Sequence, residues 1–234
     1  MIALPPRPRT LLTDIEGTTG SISFVKRELF PYADARMEEY VRAHSADPAV
    51  RPLLEEAARL ARVDKDDVAA VVTALQTWSA EDAKVPPLKA LQGAIWRSGY
   101  ENGALRGHVY ADAVRVLRAF RGAGGRLHVF SSGSVQAQKL LFAHTAFGDL
   151  TNLFDEFFDL SVGSKRDRSS YARIAERIEE SPSQVLYLSD VPAELLAAQA
   201  AGMQTVHVVR PEDRTQPDPR FRCIASFDEL TIPD

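Results

Sequence analysis

Gly122-Ala123-Gly124-Gly125-Arg126-Leu127-His128-Val129-Phe130-Ser131-Ser132-Gly133-Ser134 contains a helix stop, a strand and a turn, in that order. The glycines close a helical pattern over 111–120, the run from Arg126 to Phe130 reads as a strand, and the serine-glycine cluster halts it. A second helix, 135–143, follows. Outward from here the alternation continues: a short strand near 157–160, a helix over 170–179, a strand over 185–188, a helix over 192–201 closed by Gly202, and a strand over 205–209. Strands this apolar, separated by helices, predict a parallel sheet covered on both faces.

Upstream the texture differs. Amphipathic helical stretches fall near 27–43, 49–61, 65–78 and 87–96, with Pro48, Pro52 and Pro86-Pro87 near their starts. Leu11-Leu12, ahead of them, predicts the first strand of the sheet. The expected fold is therefore α/β, a Rossmann-like parallel sheet core with helices on both faces, plus an inserted all-helical cap. Residues 1–20 and 104–234 are assigned to the core and 21–103 to the cap. The cap is expected over the carboxyl edge of the sheet, where open α/β folds bind ligands. Segment 210–220, with Pro211, Pro217 and Pro219, reads as an extended surface loop.

Composition excludes several function classes. The chain has 234 residues and a formal net charge of −4, with 28 basic and 32 acidic residues interspersed, so no basic stripe argues for nucleic acid or anionic lipid. A small soluble substrate fits better. The single cysteine, Cys223, excludes an internal disulfide, and Met1-Ile2-Ala3-Leu4-Pro5-Pro6 lacks the apolar stretch of a secretory signal. No window reaches the roughly 18 apolar residues of a membrane span. A cytoplasmic monomer is the expectation, since no heptad or long exposed apolar strand demands a partner.

Four polar clusters fall at one edge of the predicted sheet. Strand one delivers Asp14 and Glu16, the strand after it Ser131 and Ser132, the loop after the third Lys165, and the fourth Ser189-Asp190. If strand one stays extended, Asp14 and Glu16 point the same way, and Gly17 lets the chain turn. Each cluster has a plainer account: the serines as helix caps, Lys165 as part of a solvated charge run, Asp190 as a helix-start acid. Jointly they suit a phosphate ester. Two aspartates and a phosphate dianion are tolerable together only with a divalent cation and Lys165, and an all-oxygen ligand set favours Mg²⁺ over Zn²⁺. The five histidines form no H-E-x-x-H pair, and His128 and His207 read as core residues.

In type and order these clusters resemble the four motifs of the haloacid dehalogenase superfamily. More closely, Asp14-Ile15-Glu16-Gly17-Thr18-Thr19, Ile22-Ser23-Phe24-Val25-Lys26, Leu29-Phe30-Pro31-Tyr32, Leu91-Gln92-Gly93-Ala94-Ile95-Trp96, 131–141 and Ser170-Tyr171 resemble the enolase-phosphatases of methionine salvage. Glu rather than Asp at position 16 is the more specific sign. The resemblance implies a two-step reaction: 2,3-diketo-5-methylthiopentyl-1-phosphate is enolised, then dephosphorylated to the acireductone 1,2-dihydroxy-3-keto-5-methylthiopentene. It implies one Mg²⁺ per subunit at Asp14, Asp190 and Glu16, the last through its backbone carbonyl, and substrate binding by Ser131, Ser132 and Lys165. Two departures stand out. Gly20-Ser21 replaces the usual Thr-Pro, and Ser164 a common His.

Asp14 is then the expected nucleophile, ionised at pH 7 if it keeps the ordinary carboxylate value near 3.9. Glu16 is the expected acid and base, and the enolising base is either Glu16 or Lys165. Leu91, Trp96 and Tyr100 are candidates for the methylthio end of the substrate, with helix packing as the plainer reading. The rival functions are a Mg²⁺-dependent phosphatase of another small ester and a phosphoacceptor signalling module.

Overall fold

The computed structural model describes residues 8–81 and 83–230. The segment 1–6 read for a secretory signal lies outside them. The chain forms two compact units, a sheet unit drawn from Met1–Phe24 and Arg106–Asp234 and a helical unit, Val25–Leu105.

The sheet has six strands, β1 (Thr10–Thr13), β2 (Arg126–Phe130), β3 (Glu156–Phe158), β4 (Val185–Ser189), β5 (Gln204–Val208) and β6 (Cys223–Ile224). Their order is β3-β2-β1-β4-β5-β6, and every pair is parallel. β1 is flanked by β2 on one side and β4 on the other, with Thr13 opposite both Val129 and Leu188. Sheet growth therefore reverses at β1, and the carboxyl ends of three strands open side by side at that switch point. β1 and β4 are buried along their whole length, as strands covered on both faces must be. One apolar cluster joins Leu12, Phe130, Tyr171, Tyr187 and Leu195, so the packing that holds the sheet also fixes where its strands end.

Two features differ from the sequence reading. β6 was not expected: it is only two residues long. Segment 210–220 is not surface throughout, because Arg210 is buried and donates through Nε and Nη2 to the carbonyl of Thr18 at 3.0 and 2.9 Å. Its Nη1 meets Asp112 Oδ2 at 2.7 Å.

The outgoing and returning segments of the sheet unit run side by side. Tyr110 N–H donates to Thr19 O at 2.8 Å, and Ser21 N–H to His108 Nδ1 at 3.1 Å. Gly20 packs so closely on the carbonyl of His108 that a side-chain carbon there would collide with it. Asp213 ties both segments, accepting from Ser21 Oγ at 3.0 Å, Ser23 N at 3.3 Å and Tyr110 Oη at 2.9 Å. The substitution of Gly-Ser for Thr-Pro at 20–21 thus supplies a close approach and a hydroxyl that are both used.

The helical unit contains Phe30–His44, Arg51–Ala61, Val68–Ala80 and Pro86–Glu101. Ala33, Met37 and Val41, spaced by four, give the first helix its buried face. Leu91, Trp96 and Tyr100 are buried as well. Trp96 donates its indole N–H to Leu29 O at 2.8 Å and meets Phe30 edge-on at 5.7 Å. Helix packing accounts for Leu91 and Trp96.

Candidate active site

β1 ends at Thr13, and the ladder carries one residue further: Asp14 N–H donates to Leu188 O at 2.9 Å. The chain then turns, with Thr18 N and Gly20 N both donating to Ile15 O. Strand alternation does not relate Asp14 to Glu16, because the backbone between them has left the extended conformation. Asp14 is buried and Glu16 exposed. Gly17 has φ 70°, a left-handed value that costs glycine nothing, and a side chain there would strike the Asp190 carboxylate.

Asp14 is held at both oxygens. Oδ1 accepts the N–H of Ile15 at 2.7 Å, and Oδ2 receives Lys165 Nζ at 2.7 Å. Lys165 is only 5% exposed, whereas its neighbours Arg166, Asp167 and Arg168 are exposed, so a solvated charge run does not describe it. Its ammonium makes a second contact, 2.8 Å, to Glu194 Oε2. Tyr187 Oη and Ser189 Oγ donate to that same oxygen at 2.7 and 3.0 Å. The main chain of Lys165 is anchored too, its carbonyl accepting from Tyr171 Oη at 2.7 Å.

Ser131 N–H donates to Phe158 O at 3.1 Å, extending β2, and Ser131 Oγ accepts from Gly133 N at 3.3 Å. Ser134, not Ser131 or Ser132, caps the Val135–Ala143 helix, accepting from Ala137 N at 3.2 Å. Gln138 braces the loop by donating to Gly133 O and Phe158 O at 2.7 and 2.9 Å. Asp190 does not cap its helix either: the position before Pro192 is Val191, with no side-chain cap. Asp190 is fixed through its backbone, its N–H donating to Thr18 Oγ1 at 3.1 Å and its carbonyl lying 3.0 Å from His207 Nε2.

The electrostatics are lopsided. Asp14, Glu194 and Asp190 set three carboxylates against the single ammonium of Lys165. Burial, opposed by Lys165 and reinforced by the charges of Glu194 and Asp190, pushes the Asp14 carboxyl up to about 7. Burial and then Glu194 push Asp190 up to about 7 as well. Burial pulls the Lys165 ammonium down, but the two carboxylates outweigh it and the group is held above its ordinary value. The ordinary carboxylate value therefore does not carry over to Asp14: without a further cation, the nucleophile expected to be fully ionised at pH 7 is partly protonated. His128, by contrast, is a core residue, buried between strands and pushed down to about 4 by burial.

An oxygen-only set short of positive charge fits a hard divalent cation. Among the described residues no three His, Cys, Asp or Glu side chains cluster as a ready cage. Mg²⁺ does not require one, since it binds through one or two carboxylates and keeps waters and substrate oxygens.

A family model for haloacid dehalogenase-like hydrolases matches residues 8–202. The chain is 50% identical over 224 residues to an enolase-phosphatase E1 of Hahella chejuensis, covering 96% of each chain. It is 52% identical over 202 residues to an enolase-phosphatase E1 of Methylococcus capsulatus, covering 86% of this chain and 89% of that one. The chain belongs to the enolase-phosphatases, within the haloacid dehalogenase-like hydrolases. The crystal structure of the UTR4 protein of Saccharomyces cerevisiae shares the architecture, with TM-score 0.82 and 35% identity, covering 96% of this enolase-phosphatase chain and all of that one. Enolase-phosphatases generally use Mg²⁺.

Glu194 is the site residue that sequence reasoning missed. It occupies the first turn of the Pro192–Ala200 helix, where an acid is favourable in its own right.

Proposed function

We propose that the chain acts as an acireductone synthase, converting 2,3-diketo-5-methylthiopentyl-1-phosphate to 1,2-dihydroxy-3-keto-5-methylthiopentene and phosphate at this one site. The observation that carries the reading is the buried Asp14–Lys165–Glu194 chain at the end of β1, with Asp190 beside it. That arrangement is deficient in positive charge and poised around a carboxylate.

In this reading the Asp14 carboxylate attacks phosphorus, the bond from phosphorus to the enolic oxygen of the substrate breaks, and Glu16 delivers the proton that the departing oxygen takes up. Water then attacks the aspartyl-phosphate, Glu16 recovers the proton, and phosphate leaves. Ser131, Ser132 and Lys165 hold the phosphoryl oxygens. Asp14, Asp190 and the carbonyl of Glu16 would hold one Mg²⁺, which when bound supplies Lewis-acid polarisation and charge neutralisation. Lys165 keeps one face of Asp14 occupied, so the nucleophile has a single orientation. Glu16 removes the proton in the enolisation step, because the two carboxylates that flank Lys165 hold it as an ammonium with no lone pair to act as a base. Monomeric state and cytoplasmic location belong to the same proposal; no helix among the described residues is long and apolar enough to cross a membrane.

The test is to supply the diketo phosphate with Mg²⁺ and follow enol absorbance and phosphate release together. A transient enol followed by phosphate is the expected result. Asp14→Asn is expected to lose phosphate release by about 10⁴-fold or more while retaining part of the enolisation. Phosphate release with no enol would instead mark a phosphatase of another ester, and wild-type release by Asp14→Asn would remove the nucleophile assignment.

A further inference from the structure

His207 lies on β5, opposite Ser189 of β4, and is fully buried. Asp218 N–H points at its Nδ1 from 3.3 Å, and a backbone amide can only donate, so Nδ1 is the acceptor and the ring proton sits on Nε2. The Cys223 thiol lies on the same side, 3.6 Å from Nδ1. The proton on Nε2 is thereby aimed at the Asp190 carbonyl, 3.0 Å away. Together with Thr18 Oγ1 on the Asp190 amide, this holds both backbone polar groups of one residue, one from the turn after β1 and the other from β5.

We propose that His207 is a positioning residue that fixes the Asp190 peptide so that its carboxylate is presented to a divalent cation. This rests on the reading of Asp190 as a cation ligand. The mechanism is geometric: β4 ends just before a helix, the Asp190 carboxylate occupies the space that a side chain at Gly17 would fill, and rotation of the 190–191 peptide would swing the whole residue out of that place. His207 removes that freedom by giving the carbonyl a buried partner in a fixed tautomer. Hydrogen-bonded partners behind a metal ligand commonly account for 10- to 100-fold in affinity.

The experiment measures Mn²⁺ binding to the full chain by electron paramagnetic resonance without substrate, alongside thermal melting by circular dichroism. His207→Gln places an amide donor near the Nε2 position and is expected to bind within about threefold of wild type. His207→Asn reaches only the Nδ1 position, leaves the Asp190 carbonyl without its donor, and is expected to bind about tenfold more weakly. Asp190→Asn separates the two ideas. If it binds Mn²⁺ like wild type, the cation reading fails and the inference falls with it. If it loses binding while His207→Asn does not, only the positioning role is overturned. Equal weakening by Gln and Asn also overturns it, since general packing would then explain both. Should the variants not fold, long-range proton–nitrogen NMR of the wild-type imidazole decides: the Nε2–H tautomer is expected, and Nδ1–H would refute the arrangement.

Discussion

Lys165 and Arg210 are both buried cations of the sheet unit, and their surroundings are opposites. Arg210 spends its donors on the Thr18 carbonyl and Asp112, and lies 4.1 Å over the Tyr110 ring and 5.2 Å over Phe227. Asp112 in turn accepts from Ser226 Oγ at 2.9 Å and Phe227 N at 2.7 Å. Burial would raise the Asp112 carboxyl, but these hydrogen bonds and the guanidinium bring it below its ordinary value. Around Lys165 the carboxylates outnumber the cation, and two of them are held high. A saturated pair is structural, whereas an unsaturated one keeps its surplus charge for something that is not protein.

Truncation should separate the two most sharply. Asp112→Ala leaves Arg210 buried and uncompensated, so it is expected to cost about 3 kcal/mol in urea unfolding. Asp14→Asn removes surplus charge and is expected to leave the metal-free protein at pH 8 as stable as wild type or about 1 kcal/mol more so. A large loss of stability in Asp14→Asn would erase the contrast.

Acid and base should act on the two sites with opposite sign. Asp14 and Asp190 bind protons more tightly folded than unfolded, so their contribution is complete below about 4 and is lost as pH rises to about 7. Asp112 binds protons less tightly when folded, so its contribution is present above the ordinary value of 3.8 and lost as pH falls through its lower folded value. In chelator, stability should therefore decline between pH 5 and 7 by at most about 1.4 kcal/mol per pH unit for each site carboxylate. The decline should flatten in Asp14→Asn and be offset by added Mg²⁺. An unchanged slope in that variant would contradict the charge surplus. The smallest effect is expected from Glu194→Gln, which keeps a side-chain oxygen for Tyr187 but removes one charge. The Asp14 carboxyl, followed by ¹³C NMR, should titrate lower in that variant; a higher or unmoved titration would mean that Glu194 does not hold it up.

Legibility in the sequence follows the same division. The strand at 185 was readable because a doubly covered parallel strand favours an unbroken apolar run, and Arg126–Phe130 because its mostly apolar residues lie between a glycine stop and a serine-glycine turn. Asp14, Ser131 and Asp190 follow such runs directly. Glu194 was obscured because an acid in the first turn of a helix has a sufficient local reason to be there. Arg210 and His207 were obscured differently, since their partners, Thr18 and Asp190, are distant in the chain and only the sheet order brings them together. β6 is too short to carry a period, and the strand-based link from Asp14 to Glu16 failed because β1 stops at Thr13.

The paired crossing at Thr19–Ser21 and His108–Tyr110 has a consequence for how such a chain can change. Because the outgoing and returning backbones are bonded to each other, the gap that an insert must bridge is set by the sheet unit alone and not by the insert. Lengthening a flexible insert costs only about 0.6 kcal/mol per doubling of its length. The joint therefore works as a socket. Whatever lies between Phe24 and Arg106 can be enlarged, trimmed or exchanged for another module with neighbouring ends while the register of β1 against β2 and β4 stays as it is.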